Sequence, residues 1–160
     1  MSAPAKSKVG YWVMKSEPGE YSIDDLGRDG VIGWTGIRNY QVRNMIRDKI
    51  KVGDVALFYH SNSKEIGIVG EMKVCREAYP DPTQFDSKDP HFDVKATVAK
   101  PRWFSVDVKF ANKFKKIVTL ANLKNDSTFN ELSLIEKGNR LSITEIEKKH
   151  FEQINRIANF

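Results

Sequence analysis

Three short stretches combine residues able to do chemistry with settings that core packing alone explains poorly. Lys15-Ser16-Glu17-Pro18 follows an alternating run from Tyr11 to Met14, so a cation, a hydroxyl and a carboxylate stand at a strand exit where Pro18 ends the ladder. Trp34-Thr35-Gly36-Ile37-Arg38-Asn39-Tyr40 sets an indole between Gly33 and Gly36, in a turn rather than in a periodic element. Arg38, Arg43 and Arg47 recur along one side of the helix that follows, Arg43 and Arg47 as an i,i+4 pair of like charges. Stacking aromatics beside cations are what a nucleobase and its phosphates require. Phe58 to Asn62 closes a further strand with Tyr59, His60 and Ser61. Trp103 lies out of phase with Phe104, Val106, Val108 and Phe110, which places its indole either under a helix or in a cleft. Each stretch also has an ordinary reading: a strand exit, a solvated helix face, a covered tryptophan.

Other chemistries find little support. The chain has no glycine-rich phosphate loop and no Gly-x-Ser-x-Gly elbow. His60, His91 and His150 are dispersed without metal-ligand spacing, so neither a metal nor a cofactor is expected. Cys75 is the single cysteine, which excludes an intramolecular disulfide; between Val74 and Arg76 it reads as a half-buried structural thiol whose pKa an arginine neighbour would lower. No catalytic residue is assigned. The enzymatic alternative rests on Glu17 and His60 as acid and base acting on a nucleobase or RNA, and a protein-binding scaffold is the third reading.

The elements that must position these residues follow from periodicity. Forty per cent of the 160 residues are apolar, enough for one core, and no apolar run reaches the ~18 residues of a membrane span. The N-terminus lacks the apolar middle of a secretory signal, and the chain reads as intracellular. Net charge is +5 with a pI near 9.2, a weak pointer to a polyanionic partner. Alternation marks strands at Val9–Ser16, Val55–His60, Ile66–Val74, Phe92–Val98 and Phe104–Phe110, with Ile66, Ile68, Met72 and Val74 sharing one face. Ser22-Ile-Asp-Asp25 opens a short helix, Asn39–Lys49 forms an amphipathic one, and Thr144-Glu-Ile-Glu147 is a capping box opening a last helix that buries Ile146, Phe151, Ile154 and Ile157. Short helical turns are expected at Thr119–Lys124 and Asn130–Ile135, and a loop from Tyr79 to Pro90. The sum is a strand-dominated α+β domain, mostly antiparallel, spanning residues 9–160 after a disordered tail at 1–8.

Tyr11-Trp-Val-Met-Lys-Ser-Glu-Pro18, Trp34-Thr-Gly-Ile-Arg-Asn-Tyr-Gln-Val-Arg-Asn44 and Phe58-Tyr-His-Ser-Asn62, in this order, resemble the EVE domain family. Asp89-Pro90, Pro101-Arg-Trp103, Val106-Asp-Val108 and Arg140-Leu-Ser142 add to a likeness that runs from Tyr11 to Ile154; Thr35 and Ile37 depart at variable positions. The resemblance implies a PUA-like fold: a bent, partly closed, mostly antiparallel β-barrel flanked by helices. EVE domains are similar to YTH domains, which hold a methylated base in an aromatic cage, and are thought to recognise modified cytosine in DNA. The implied pocket takes in Lys15, Ser16, Glu17, Trp34, Thr35, Gly36, Arg38, Asn39, Tyr40, Tyr59, His60 and Ser61, closed by Trp103 and by Arg140, Leu141 and Ser142. Trp34 is then the stacking wall, and Ser16 and Asn39 bond the base edge. Arg38, Arg43 and Arg47 meet phosphates, an assignment made from the charge pattern. The expected role is a non-catalytic reader of a modified base in DNA or RNA, with 5-methylcytosine or 5-hydroxymethylcytosine as the mark. It is expected to act as a monomer without membrane, metal or cofactor, in the nucleus of a eukaryote or the cytoplasm of a bacterium.

Overall fold

Residues 8–159 are described by the structure, a computed structural model; of the expected tail only Lys8 lies among them. The chain runs β1 (Tyr11–Ser16), α1 (Ile23–Asp29), β2 (Val31–Gly33), α2 (Tyr40–Asp48), β3 (Val55–His60), β4 (Gly67–Pro80), β5 (Phe104–Thr119), α3 (Leu120–Lys124), β6 (Ile143–Ile146) and α4 (Lys148–Asn159), with 3-10 turns at Pro82–Phe85, Ser127–Phe129 and Ser133–Ile135. The six strands form one sheet in the order β2-β5-β4-β3-β1-β6, so β2 and β6 are its edges. β1 runs parallel to β3 and every other pairing is antiparallel.

Both faces of the sheet are covered, which is why β3 reads Val-Ala-Leu-Phe-Tyr with no polar alternation. Ala56 and Phe58 join Trp12, Met14, Trp34, Met72, Val74, Val106 and Val108 in a core closed by Ile23 and Leu26 of α1 and Val42 and Ile46 of α2. Leu57 and Tyr59 face the other way, onto Val13, Ile68, Phe114 and Val118, under Leu123 of α3, Phe129, Leu132, Leu134, and Ile154 and Ala158 of α4. Ile68 therefore does not share a face with Met72 and Val74. The register shifts between Phe58 and Tyr59 on β3 and between Ile68 and Gly70 on β4, and one extra residue reverses every side chain beyond it. Gly70 permits the tight β4–β5 approach there, since a Cβ would stand 2.7 Å from the Asn112 carbonyl oxygen.

Local signals hold where capping is local. Ser22 and Asp25 form the expected box at α1, through Asp25 N–H to Ser22 Oγ at 3.1 Å and Ser22 N–H to Asp25 Oδ2 at 2.9 Å. Asn39 caps α2 by accepting from Val42 N–H at 3.0 Å. Thr119 caps α3.

Two expected elements are otherwise. Thr144-Glu-Ile-Glu147 opens no helix: Ile143–Ile146 is the edge strand β6, paired with β1 from Met14 to Tyr11, and α4 begins at Lys148. The free edge of β1 outcompetes a local cap. Ile146 and Ile154 are buried as expected, while Phe151 and Ile157 pack against the core partly exposed. Phe92–Val98 is no strand either; with no partner strand, it turns on itself through Ala96 N–H to the Asp93 carbonyl at 3.0 Å and Lys95 N–H to Asp93 Oδ1 at 2.9 Å.

Candidate functional site

β1 and β2 deliver their ends to one rim of the sheet, and a cavity of about 290 Å3 opens there. That volume is at the low end of the ~300–1,000 Å3 typical of small-ligand sites. Lys15 and Ser16 come from the exit of β1, Glu20 and Tyr21 from the turn after it, and Ile32 to Ile37 from β2 and its following loop; His91 closes the far side. The turn is held by the Glu17 carbonyl, which accepts from Glu20 N–H and Tyr21 N–H, both at 2.9 Å. Ser16 Oγ donates to the Tyr21 carbonyl at 2.6 Å, which ties the strand exit to that turn.

Trp34 is the apolar wall. Its backbone N–H donates to the Val106 carbonyl at 2.8 Å, and its ring meets Phe58 edge-on with centroids 5.6 Å apart. It is deeper than its turn position implies, at 8% exposed, yet it still lines the cavity. Its indole N–H has no hydrogen-bond partner among the described residues, whereas Trp12 Nε1 donates to Asp54 at 3.0 Å and Trp103 Nε1 to Asp93 at 2.8 Å. Lys15 is comparable. Burial lowers its pKa, its ammonium lies 5.6 Å from the centre of the Tyr59 ring, and it has no ion-pair partner among the described residues. Lys15 thus stands between this cavity and the one that Tyr59 lines, and Trp34 keeps a donor that no described residue takes up.

Asp81 braces the floor. Its side chain is fully buried and accepts from Gly36 N–H at 2.7 Å, Thr83 N–H at 2.8 Å, Thr83 Oγ at 2.6 Å and Arg38 Nη1 at 3.2 Å. Burial alone would raise its pKa, but the bonds from Thr83, Gly36 and Arg38 outweigh it and hold the carboxyl below its ordinary value. Gly36 sits at φ +86°, and a Cβ there would lie 3.0 Å from His91 Nε2, so the loop needs glycine both for its dihedral and for its contact.

The three arginines do not form a common free face. Arg38 is spent inside the molecule, donating to Asp81, to Thr83 Oγ at 3.0 Å, and to the carbonyls of Ile37 at 2.7 Å and His91 at 2.6 Å. Arg43 lies over the Tyr40 ring and reaches the Arg102 carbonyl at 3.2 Å. Arg47 pairs with its neighbour Asp48 at 2.9 Å. The like-charge cost inferred along α2 is relieved within the chain.

The remaining expected pocket residues divide among other places. Tyr40 stacks on Trp103 with centroids 4.8 Å apart and contacts Arg102, so Trp103, 5% exposed, is covered by the first turn of α2 rather than lining the cavity. Asn39 is occupied as a helix cap. His60 Nε2 accepts from Ile23 N–H at 3.1 Å and its ring meets Phe58, so it supports α1; burial lowers its pKa and favours the neutral ring. Glu17 lies on the surface, where it accepts from Asn62, and no hydrogen bond joins it to His60. Tyr59 and Ser61 line a second cavity of about 570 Å3, which shares Lys15 with the first. Arg140 and Leu141 line a third of about 630 Å3 beside Gln41 and Met45. The Ser142 carbonyl accepts from Lys15 N–H at 2.8 Å. The Cys75 thiol is raised, not lowered, by burial and the nearby Asp107 carboxylate, and Arg76 stacks on Tyr79 instead.

Glu20, Tyr21, Ile32 and His91 line the cavity without having been singled out. Tyr21 carried a weak signal, five residues beyond Ser16, and its phenol is pushed up to about 12 by burial and its bond to Asp29. Among the described residues no group of three or more His, Cys, Asp or Glu is placed to hold a metal ion. No helix among them is long and apolar enough to cross a membrane.

Comparison with known proteins bears on the family and the fold. The EVE domain model matches residues 10–157. Thymocyte nuclear protein 1 of Homo sapiens is 44% identical over 130 residues, covering 74% of this chain and 57% of that protein. The chain thus spans a little over half the length of the curated relatives it matches, 56% for the Gallus gallus protein. Among solved structures, a Pseudomonas syringae protein superposes with a TM-score of 0.88 at 42% identity, covering 92% of this chain and 99% of that one. Human THYN1 protein in complex with 5-methylcytosine containing DNA superposes with a TM-score of 0.87 at 36% identity, covering 95% and 99%. The fold is the α+β, PUA-like one that the resemblance implies. With 148 consecutive residues matched, from 10 to 157, the chain belongs to the EVE domain family.

Proposed function

We propose that this chain is a non-catalytic DNA-binding module that accepts a modified cytosine, flipped from a duplex or presented single-stranded, in the cavity beside Trp34, and that it acts as a monomer. The observation that carries the reading is an indole wall, Trp34, whose N–H no described residue takes up, in a base-sized recess that Lys15, Ser16 and Glu20 also line. The solved complex of human THYN1 protein with 5-methylcytosine containing DNA supports cytosine and DNA as base and partner. Cytosine offers acceptors at O2 and N3 and a donor at N4 on its Watson–Crick edge. Lys15 and Trp34 answer the acceptors; the Ser16 hydroxyl, which still has lone pairs, and the Glu20 carboxylate answer the amino group. Ile32 and Ile37 supply apolar surface for a 5-methyl group. In a eukaryotic host the natural compartment for such a module is the nucleus, in keeping with the name of its relatives.

Catalysis finds no support in the two residues that were its candidates, because His60 supports α1 and Glu17 faces Asn62. The test is a binding screen at fixed low salt with one oligonucleotide carrying cytosine, 5-methylcytosine, 5-hydroxymethylcytosine or N6-methyladenine at a single position. Preference for a modified cytosine, with an affinity that Lys15→Met and Trp34→Phe each reduce, supports the reading. Equal binding of all four probes refutes it, and loss of the modified base during incubation, seen by nucleoside mass analysis, transfers the function to an enzyme.

A further inference from the structure

The loop after Pro90 displays apolar side chains that no described residue covers. Val94 is 80% exposed, Val98 82% and Phe92 42%. A single exposed valine needs no explanation, but three large apolar residues within seven positions on one projection mark an interaction surface.

The projection is anchored, not loose. Asp93 accepts from the Trp103 indole N–H at 2.8 Å, pairs with Arg102 at 3.3 Å and accepts from Lys95 N–H at 2.9 Å, while its own N–H donates to the Gln84 carbonyl at 3.1 Å. Lys100 N–H closes a second turn onto the Thr97 carbonyl at 3.0 Å. Val94 and Val98 are thus held out by a base that is itself tied to the buried Trp103.

Charge selects the partner. The acidic groups of this segment are engaged locally: Asp86 accepts from Lys88 N–H and Asp89 from His91 N–H in their own turns, and Asp93 is occupied as above. Lys95 and Lys100 are exposed and have no ion-pair partner among the described residues. An apolar tip flanked by unpaired cations suits stacked bases between phosphate strands better than it suits a protein surface.

Position links it to the base cavity. His91 lines that cavity, and Val94 follows three residues later, so their Cα atoms are within about 11 Å of each other. Arg38 grips the His91 carbonyl and Asp81, which also holds Gly36, so cavity floor and loop share one brace.

We propose that the 92–100 loop is a wedge that enters a duplex beside the extruded base, with Val94 and Val98 against the exposed stack and Lys95 and Lys100 on the flanking phosphates. This rests on the base-reading function proposed above. Base extrusion leaves a gap in the stack, and apolar side chains inserted at a base step are a general means of stabilising such a distortion.

The test compares wild type with the Val94→Ser/Val98→Ser double variant on a 5-methylcytosine oligonucleotide, single-stranded and as duplex. Both valines are surface residues, so the variant is expected to unfold at the same temperature as wild type. The wedge requires the variant to bind the duplex about tenfold more weakly while single-strand binding stays within about twofold. A 2-aminopurine beside the methylcytosine brightens with wild type and not with the variant. Equal duplex binding by both proteins, or equal losses on both probes, overturns the wedge alone. Binding of the single strand but not the duplex by wild type does the same. If wild type prefers no modified probe of either kind, the base-reading function fails and the wedge with it.

Discussion

Arg38→Ala separates a brace from a phosphate contact. In the folded protein the guanidinium supplies one of four donors to the fully buried Asp81 carboxylate and also satisfies Thr83 Oγ and the carbonyls of Ile37 and His91. Removing one partner of a buried pair costs ~3–5 kcal/mol when the remaining charge is stranded. Here Gly36 N–H, Thr83 N–H and Thr83 Oγ stay on Asp81, and the freed His91 carbonyl lies in an exposed position. The expected loss is therefore that of one hydrogen bond to a charged group plus some loosening, ~2–3 kcal/mol. Urea denaturation reads this as a fall in midpoint of roughly 1–2 M at the slope of a small domain. Affinity for a modified oligonucleotide falls too, because Gly36 and His91 lose their brace. The dependence of log K on log salt keeps its slope, since no phosphate contact is removed. Were Arg38 a phosphate ligand, the variant would keep its stability and its slope would flatten by ~0.9 on duplex or ~0.7 on a single strand. That pair of results would refute the brace.

Three further outcomes follow from the same geometry. Trp34→Phe keeps an aromatic wall in the core but removes the unoccupied N–H, so binding should weaken by ~0.5–1.5 kcal/mol, read by titration, with stability reduced modestly; Trp34→Ala would confound binding with ~3–5 kcal/mol of lost core. Gly36→Ala should cost ~1–2 kcal/mol in unfolding free energy by forcing a side chain into φ +86° against His91, with His91→Ala relieving the contact but not the dihedral. His60 has a folded-state pKa below its ordinary 6.5, so the unfolded chain binds the proton first as pH falls. Its contribution is full above that value and is lost below it, where protonation also removes the acceptor for Ile23 N–H. Unfolding midpoints measured from pH 7.5 to 5 should therefore drop for wild type and drop less for His60→Gln.

What was legible from the residues was whatever neighbours in the chain decide. Ser22 with Asp25 is a cap closed within three residues, and it forms; Asn39 and Thr119, expected only as the first residues of their helices, cap them too. Partners distant in sequence decided the rest. Thr144-Glu-Ile-Glu147 fits a capping box and a two-residue alternation alike, and the unpaired edge of β1, some 130 residues earlier, settles it as a strand. Phe92–Val98 has the alternation of a strand but no partner strand. The arginines of α2 share a helix side, yet periodicity cannot show Asp81, 43 residues from Arg38, waiting to take its charge. Trp34 stood out because it sits in a turn; its depth depends on Phe58 and Val106, contributed by strands that sequence spacing does not bring together. His91 gave no signal, since only the loop closure onto Gly36 carries it to the cavity.

The arrangement also limits how a modified cytosine can be told from an unmodified one. A methyl group fully buried against Ile32, Ile37 and Trp34 contributes ~0.8 kcal/mol, a preference of about fourfold. Stacking contributes ~1–3 kcal/mol, but to either base alike. Discrimination well beyond fourfold must then come from a polar group that only the modified base satisfies; Lys15, which answers acceptors that both bases carry, adds affinity to both alike. A 5-hydroxymethyl group adds a hydroxyl that can answer Ser16 or Glu20, whereas a methyl group cannot. If hydroxymethyl binds more weakly than methyl, the 5-position faces the isoleucines, where a hydroxyl finds no partner; if hydroxymethyl binds more than fourfold tighter and Ser16→Ala abolishes the difference, it faces the strand exit.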